Sequence, residues 1–472
     1  DKLRHQLSLC NTYPQWRTVA QQLDRALGND NWKADPESSE YDHRLIHNRL
    51  SKLRNDRLAG DVISSMYSLR SGLLRNLGGI SDPRLYCTSY VGTKRLIQEY
   101  TREVVDSLNY IATTDHPDLS FQARLDFFHE TKQSFGCSAL ILEGGATFGL
   151  YHIGVVKALH EQQLLPRVIS GSAVGALIAA LVCIHSDDEL QHVLRHGGIN
   201  LSAFEQVGQR GTFRRKLTRW LKYGHALDVK VLEDCVRSNV GDVTFEEAFH
   251  KTRRILNITV SSARPNEVPK VLNYLTAPNV LIWSAACAST AATYPLYSQV
   301  HLLAKDDKGI ITKWSPADIT WTQHNAPSSS FSRRSAASEL FNVNHLIVSQ
   351  AGALAAPMVL RGWRERHSFL ARVASAILME VRHRTAQAAY VGLVPSLVAR
   401  WIAPETITGD VTITPELTLE DYRSLFSNPT NADMDYWMAK GERSTWPLMS
   451  LIKNRCIVEF ALDRNYQNLR TE

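Results

Sequence analysis

Two similar units follow one another along the chain, each made of a strand, a glycine-bearing turn and a helix. They constrain the fold more than any other feature. The first unit is the apolar strand 138–142, a glycine-bearing turn and a helix from about 151 to 163. The second is the strand 167–169, a tight turn and the helix 176–184. Strands and helices that alternate in this order are typical of a parallel sheet covered by helices. We therefore expect an α/β domain.

The remaining patterns predict helices before this domain and a mixture of elements after it. From Leu3 to about Gln133, apolar residues recur at steps of three and four, which predicts an all-α region. Further strands are expected at 255–261, 271–275 and 345–348, a polar loop at 306–335, a long helical pattern beyond Pro357 and a last helix near 446–462.

Composition excludes some classes of protein. With 53 Lys and Arg against 47 Asp and Glu, the net charge of +6 is too small and too evenly spread for a dedicated nucleic-acid binder. The seven cysteines include no CxxC pair, which favours reduced thiols and a protein in the cytosol or facing it. The chain does not begin with Met, which suggests a fragment of a longer protein.

One uncharged run, 168–184, reaches the lower length limit of a membrane-spanning helix. Its strand-like start and its Ser and Gly cluster favour a buried strand, turn and helix instead. We therefore predict that no helix spans a membrane.

The first glycine-bearing turn reads Glu-Gly-Gly-Ala-Thr-Phe-Gly over 143–149. Adjacent glycines after a strand let backbone N–H groups converge, which suits a phosphate or the oxyanion of an acyl-transfer intermediate. Close packing of a helix on a strand also requires glycine. The turn alone does not separate these possibilities.

The second turn, Ser-Gly-Ser-Ala-Val-Gly over 170–175, has the Gly-x-Ser-x-Gly spacing of a nucleophile elbow. Its flanking glycines are Gly171 and Gly175, and the residue between them is Ala173. Alanine has no hydroxyl to attack a carbonyl. Ser172 lies one position out of register, so the elbow geometry would point its side chain elsewhere.

Together these stretches, Gly-Gly-Ala-Thr-Phe-Gly-Leu-Tyr-His-Ile-Gly (144–154) and Leu-Leu-Pro-Arg-Val-Ile-Ser-Gly-Ser-Ala-Val-Gly-Ala (164–176), closely resemble the patatin-like triacylglycerol lipases of fungi and plants. The likeness covers nearly the whole chain. Further matches are the sequences at 32–33, 41–42, 75–80, 84–86, 92–94, 338–345, 409–413, 427–430 and 440–443.

This resemblance implies a patatin-type three-layer α/β/α domain with a mainly parallel central sheet and helical extensions on both sides. It implies three segments: a helical N-terminal region at 1–134, a patatin-like phospholipase domain at 135–357 and a helical C-terminal extension at 358–472. We expect Ala173 at the turn between strand and helix, opposite the turn at 144–146.

In the family, a serine and an aspartate form a dyad that hydrolyses acyl esters, and the glycine turn holds the oxyanion. Carried over by position, the nucleophile falls on Ala173, and the oxyanion donors fall on the backbone of Gly144, Gly145 and Ala146. The aspartate of the family's Asp-Gly pair falls on Asn325, followed by Ala326, or in another register on Gln323. Both are neutral amides, which cannot act as a base near neutral pH. Asp318 is the nearest carboxylate but requires a register shift.

Two other stretches at the active-site end, 288–296 and 351–354, also depart from the family pattern. Four departures favour a natural non-catalytic relative, or an extensively altered chain, over an enzyme inactivated at one position. Two functions stay open: a lipid acyl hydrolase of the triacylglycerol lipase type that lacks its nucleophile, or a pseudoenzyme that serves as a lipid-binding scaffold or regulator at lipid droplets. We expect this chain to be catalytically inert in either case.

A stretch at 210–222 suggests how the protein approaches lipid. It holds six basic residues and no acid, with apolar residues at helical spacing, which fits an anionic phospholipid surface or, equally, a core helix with a solvated basic side. The predicted membrane contacts are Phe213, Arg214, Arg215, Lys216 and Trp220.

The predicted partners are triacylglycerol or phospholipid acyl chains. We expect peripheral attachment to a lipid droplet or the endoplasmic reticulum membrane on the cytosolic side, with no nucleic acid and no cofactor. No spacing of His, Cys and Asp indicates a metal site, and His152 is interpreted as a packing or turn residue.

Overall fold

A computed structural model describes residues 2–144, 146–195, 198–200, 229–260, 270–293, 300–314, 340–351, scattered positions between 373 and 388, 409–418, 420–421 and 430–471. By internal contacts the chain divides into two compact units. The helical unit comprises Asp1–Ser138, Leu159–Leu164 and Thr445–Glu472, and the sheet unit comprises Ala139–Ala158 and Leu165–Ser444. The three consecutive segments expected from the sequence stay a prediction.

Most of residues 2–135 form helices, as their apolar spacing predicts. The helices are α1 (Lys2–Leu9), α2 (Tyr13–Ala26), α3 (Asn29–Ala34), α4 (His43–Leu58), α5 (Val62–Arg70), α6 (Arg95–Thr113) and α7 (Phe121–Phe135). Side chains of Asp42, Asp61 and Ser120 accept the free N–H groups at the starts of α4, α5 and α7. The long C-terminal helix α15 (Met449–Thr471) packs against α6 and α7 and completes this core.

A buried carboxylate ties the first helices of this unit to the loop before α6. Asp24, which is fully buried, accepts hydrogen bonds from the backbone N–H groups of Tyr90 and Val91 and from the side chains of Asn29 and Lys33. Burial disfavours the ionised carboxyl, but these hydrogen bonds outweigh burial and lower the pKa of Asp24. The Lys33 of the family-like sequence at 32–33 therefore has a structural role.

A second buried group, which we call the charge cluster, consists of Arg75, Ser138 and Glu459. The carboxylate of Glu459 accepts the backbone N–H of Ser138 at 2.7 Å and its hydroxyl at 2.5 Å, and it pairs with Arg75 at 3.1 Å. Burial raises the pKa of Glu459, and Arg75 opposes that shift. The cluster joins α15 to the chain entering the first strand.

Among the described residues, six strands form the central sheet in the order β4-β3-β2-β1-β7-β8. They are β1 (Cys137–Glu143), β2 (Val168–Ser172), β3 (Ile255–Val260), β4 (Lys270–Leu272), β7 (Val343–Gln350) and β8 (Val411–Ile413). The pairs β1/β2, β2/β3 and β7/β8 are parallel, and the edge strand β4 is antiparallel to β3. The expected mainly parallel α/β sheet is confirmed.

The connecting helices are α8 (Tyr151–Glu161), α9 (Val174–Ile184), α10 (Asp187–Val193), α11 (Val229–Val240), α12 (Phe245–Thr252), α13 (Ile282–Thr293) and α14 (Asn431–Thr445). Helix α9 is apolar throughout and buries all its residues except Val174 and Leu177. The uncharged run 168–184 is thus β2, a turn and α9, as predicted. In the part of the chain that the structure describes, every helix is too short or too polar to cross a bilayer.

Four short strands differ from the sequence prediction. Strand β5 (Leu303–Lys305) was not predicted, and β6 (Ile311–Lys313), which pairs with it, lies within the segment predicted as a loop, so that interpretation is wrong at 311–313. The strand predicted at 271–275 ends at Leu272, because the side chain of Asn273 accepts the N–H groups of Leu275 and Thr276 and forms a turn. Strand β8 was not predicted.

Candidate active site

Ala173 occupies the single residue between β2 and α9, at the position expected for an elbow nucleophile. Its backbone has φ of 53° and ψ of −127°, a conformation that residues other than glycine rarely adopt. The residue is fully buried. Such a conformation costs about 1–3 kcal/mol and persists only where the surroundings impose it. The strained strand-to-helix turn of a nucleophile elbow is therefore present.

The two elbow glycines are needed because there is no room for a side chain at either position, and not because of their backbone dihedral angles. A Cβ added to Gly171 would lie 2.5 Å from the carbonyl oxygen of Gly175, and one added to Gly175 would overlap the carbonyl oxygen of Leu142 in β1. Any side chain at either position would push α9 away from the sheet. Gly171 and Gly175 thus let the helix begin directly above the end of β2, while Ser172 is the last residue of that strand.

Two hydroxyl groups of α13 hold the strained residue by its backbone, and we call this pair the hydroxyl clamp. The Ala173 N–H donates to the Oγ of Ser289 at 3.1 Å, and Ser289 donates to the carbonyl of Thr259 at 2.7 Å. The hydroxyl of Thr290 lies 3.0 Å from the carbonyl oxygen of Ala173 and 2.9 Å from that of Ala286, and the Ala173 carbonyl also accepts the N–H of Ala176. Both polar backbone groups of residue 173 are therefore satisfied whatever its side chain is.

The glycine turn lies beside the elbow because the two strands that precede them are paired. The register places Glu143, the last residue of β1, opposite Ser172. Gly144 follows with a φ of +68°, and a short 3-10 turn, Ala146–Leu150, leads into α8. A Cβ on Gly144 would meet nothing within 4 Å, so glycine is needed here for its backbone conformation. Gly145, one of the predicted oxyanion donors, lies outside the described residues.

His152, in the first turn of α8, is a fully buried packing residue close to the glycine turn. Its Nδ1 is hydrogen-bonded to the Oγ of Ser349 in β7 at 2.7 Å. Burial lowers the pKa of His152 to about 4, so the ring is neutral at physiological pH. Among the described residues, His, Cys, Asp and Glu nowhere gather in threes suited to a metal ion.

Several predicted site residues fall where the structure gives no description. The candidates for the dyad acid, Asn325 and Gln323, lie outside the described residues, as do Asp318 and Ala326. The predicted membrane contacts lie outside them too: Phe213, Arg214, Arg215, Lys216 and Trp220. The dyad and the membrane stretch therefore stay predictions, while the elbow and the start of the glycine turn meet at one edge of the sheet.

The geometry puts a methyl group where an acyl-transfer site needs a hydroxyl. The clamp hydroxyls cannot replace it, because Ser289 and Thr290 direct their protons to backbone carbonyls. The sequence reasoning identified 288–296 only as a departure from the family pattern and missed the clamp. The available signal was the pair of adjacent hydroxyl residues Ser289 and Thr290 in an alanine-rich helix.

Comparison with known proteins agrees with this architecture. A family model described as patatin-like phospholipase matches residues 140–314, and one described as a domain of unknown function (DUF3336) matches 1–133. Triacylglycerol lipase ptl1 of Schizosaccharomyces pombe is 35% identical over 467 residues, which cover 98% of this chain and 84% of that protein. Triacylglycerol lipase SDP1L of Arabidopsis thaliana is 36% identical, and the match covers 98% of this chain and 58% of that protein.

Among solved structures, VipD from Legionella pneumophila matches at 13% identity. The match covers 67% of each chain with a TM-score of 0.30, which is too low for details to be transferred.

Proposed function

This chain belongs to the patatin-like triacylglycerol lipase family of fungi and plants, and we propose that it is a lipid acyl-ester hydrolase of that type whose own site is catalytically inert. The observation that carries the proposal is the methyl group of Ala173 at the apex of an otherwise formed elbow. Acyl transfer through a covalent intermediate requires an oxygen or sulfur nucleophile there.

The second half of the proposed dyad is also affected. In either register the base position holds an amide, Asn325 or Gln323, and an amide cannot accept the nucleophile's proton near neutral pH. A serine restored at 173 would then have no base to activate it. Loss of both groups supports an inert site more strongly than loss of one.

A natural pseudoenzyme that acts as a lipid-binding scaffold or regulator at lipid droplets is the second candidate. The elbow favours it, since Gly171, Gly175 and the hydroxyl clamp keep the shape of the turn although the hydroxyl is gone. The ligands in either case are triacylglycerol or phospholipid acyl chains. These stay in aggregates, so the protein must approach a lipid surface.

We place that surface on a lipid droplet or the endoplasmic reticulum membrane, approached peripherally from the cytosolic side. The stretch 210–222 would supply contacts through Phe213 and Trp220, and its basic residues would contribute about 1 kcal/mol each near an anionic surface. Replacing Arg214, Arg215, Lys216 and Arg219 by Ser should reduce flotation with droplets. Equal flotation of variant and parent would remove this stretch as the anchor.

Fatty acid release from emulsified triacylglycerol tests inertness directly. The full chain and a heat-inactivated sample are incubated with the emulsion and, separately, with phosphatidylcholine vesicles. We expect equal release from the two samples on both substrates. Release well above the heated control would overturn the inert site and restore the lipase interpretation, and the better substrate would identify the acyl-ester class.

A further inference from the structure

An exposed apolar surface lies on the α4–α5 hairpin of the helical unit. Four large apolar side chains there are half to three-quarters exposed: Leu58 (72%), Ile63 (48%), Tyr67 (68%) and Leu74 (63%). We call these four residues the apolar ridge. Single exposed apolar residues are ordinary, whereas several adjacent ones often mark an interaction site.

The four residues of the ridge follow one another along the end of α4, the turn, α5 and the residues after it. Leu58 ends α4, three residues form the turn, and Ile63 is the second residue of α5. Tyr67 lies one helical turn after Ile63 on the same face. The helical hydrogen bonding continues past the end of α5, where the Leu73 N–H donates to the carbonyl of Leu69, and this carries Leu74 onward along the chain.

The opposite side of α5 faces the core, since its buried residues are Val62, Ser65, Met66, Ser68 and Leu69. The exposed side of α5 is therefore not part of the core of the helical unit. Core packing therefore does not explain why the exposed positions of α5 carry apolar side chains.

The flank of the ridge is basic. Between positions 43 and 74 there are six Lys and Arg and two acids, Asp56 and Asp61. Asp61 accepts the N–H of Ser64 at the start of α5, and Asp56 accepts the hydroxyl of Ser68. Both carboxylates therefore accept hydrogen bonds from neighbouring residues of α5.

Of the exposed cations, Arg54 and Arg70 pair with carboxylates on α6 and α7. Arg44 and Lys52, both exposed on α4, make no ion pair within the described part of the chain. The Nζ of Lys52 lies 5.9 Å from the centre of the Tyr67 ring, which places a cation directly beside the ridge. Apolar side chains beside an uncompensated cation, Lys52, match the boundary between acyl chains and anionic headgroups.

We propose that the apolar ridge, with Lys52 beside it, docks the helical unit on a phospholipid surface that carries anionic headgroups. This inference rests on the proposed function, which requires contact with lipid, and it assigns that contact to a second surface. The ridge offers on the order of 500 Å², less than the roughly 800 Å² per partner of a stable protein interface. A self-association surface of this size would be weak, whereas membrane binding grows with the apolar area inserted and with the attraction of basic residues to anionic lipid.

Flotation of the full chain with vesicles tests the docking surface. The vesicles contain phosphatidylcholine with about one third phosphatidylserine, or phosphatidylcholine alone. The ridge variant combines Ile63→Ser and Tyr67→Ser, and the matched control combines Phe121→Ser and Leu9→Ser, whose side chains are 46% and 62% exposed in the same unit. We expect the ridge variant to bind anionic vesicles about tenfold more weakly and the control within about twofold of the parent.

The charge variant Lys52→Glu separates the basic flank from the ridge and guards against misfolding of the double variant. It should weaken binding to anionic vesicles by about tenfold, leave binding to neutral vesicles within about twofold of the parent, and keep the parent's thermal unfolding midpoint. Parent-like binding by both variants would overturn the proposal. So would unchanged vesicle binding by a ridge variant that sediments as a smaller species than the parent, because the ridge would then join two copies of the chain.

The proposed function can fail separately. A chain that floats through the ridge and releases fatty acid contradicts only the inert site. A chain that releases none and whose ridge variant floats like the parent contradicts only the docking surface.

Discussion

The charge cluster of the helical unit and the elbow of the sheet unit are both buried and both precisely arranged, yet they are held in opposite ways. The cluster is stabilised by the carboxylate of Glu459, which accepts two hydrogen bonds from Ser138 and pairs with Arg75. At the elbow, Ala173 contributes only its backbone, which the hydroxyl clamp holds at both ends. The first site depends on which side chains are present, and the second keeps its shape without its functional side chain.

The physical reason for the difference is the cost of burying charge. A buried ion pair is tolerated only while both partners are present, since removing one leaves the other desolvated and uncompensated. The elbow carries no charge, and its strain is balanced by hydrogen bonds and by close packing at Gly171 and Gly175. The shape of the elbow therefore does not depend on a polar side chain at residue 173.

Removing Glu459 should have the largest effect. Glu459→Ala leaves the guanidinium of Arg75 buried without its carboxylate, and we expect a loss of about 3–5 kcal/mol in the free energy of unfolding. Urea denaturation measures it. The matched control is Glu130→Ala, which breaks an exposed pair with Arg70 and should cost less than about 1 kcal/mol. Similar small losses in both variants would mean that the cluster does not hold the helical unit.

Acid should destabilise the sheet unit through His152. The folded-state pKa is about 4 against 6.5 in the unfolded chain, so the unfolded state takes up a proton first as pH falls. Stability is full above pH 6.5 and should decline by about 3 kcal/mol as pH drops towards 4.

Urea midpoints at pH 7 and pH 5 compare the parent with His152→Gln, whose amide can still bond to Ser349. The variant should lose less stability on acidification than the parent. An equal loss in both would assign the acid sensitivity to other groups.

A methyl group at Gly175 should damage the elbow although it changes no charge. The added Cβ overlaps the carbonyl of Leu142, and we expect Gly175→Ala to cost about 1–3 kcal/mol in the free energy of unfolding. Gly72→Ala is the control, because there the new Cβ meets only the flexible end of Arg49. If both substitutions are neutral, the close approach of α9 to β1 is not what fixes the turn.

The two regions also show what the sequence could predict. The strands and helices around both turns were predicted within about three residues, because glycines bound each apolar segment and the period changes there. Strand β8 was missed, since three residues show no alternation and its pairing with β7 joins segments about sixty residues apart. Short hairpins such as β5–β6 give an equally weak signal.

Site prediction had a similar limit. The position of Ala173 follows from local spacing, so the elbow was predicted from its glycines. The clamp joins α13 to a turn more than a hundred residues earlier, and the charge cluster joins residues 75 and 459. Contacts of this kind depend on the assembled fold, and no local pattern in one sequence specifies them.

The smallest change is expected from restoring the missing hydroxyl, which tests directly whether elbow shape and chemistry are separate. Ala173→Ser adds one atom to a residue whose backbone is already held, so stability should change by no more than about 1 kcal/mol. Fatty acid release from emulsified triacylglycerol should also rise little, because nucleophile and base act as a unit and the proton has no acceptor. The combination of Ala173→Ser with Asn325→Asp and Ala326→Gly should release more, if the dyad acid belongs at 325. A large gain from the single substitution would show that a carboxylate already serves as base, with Asp318 the first candidate, and that the chain had lost only its nucleophile.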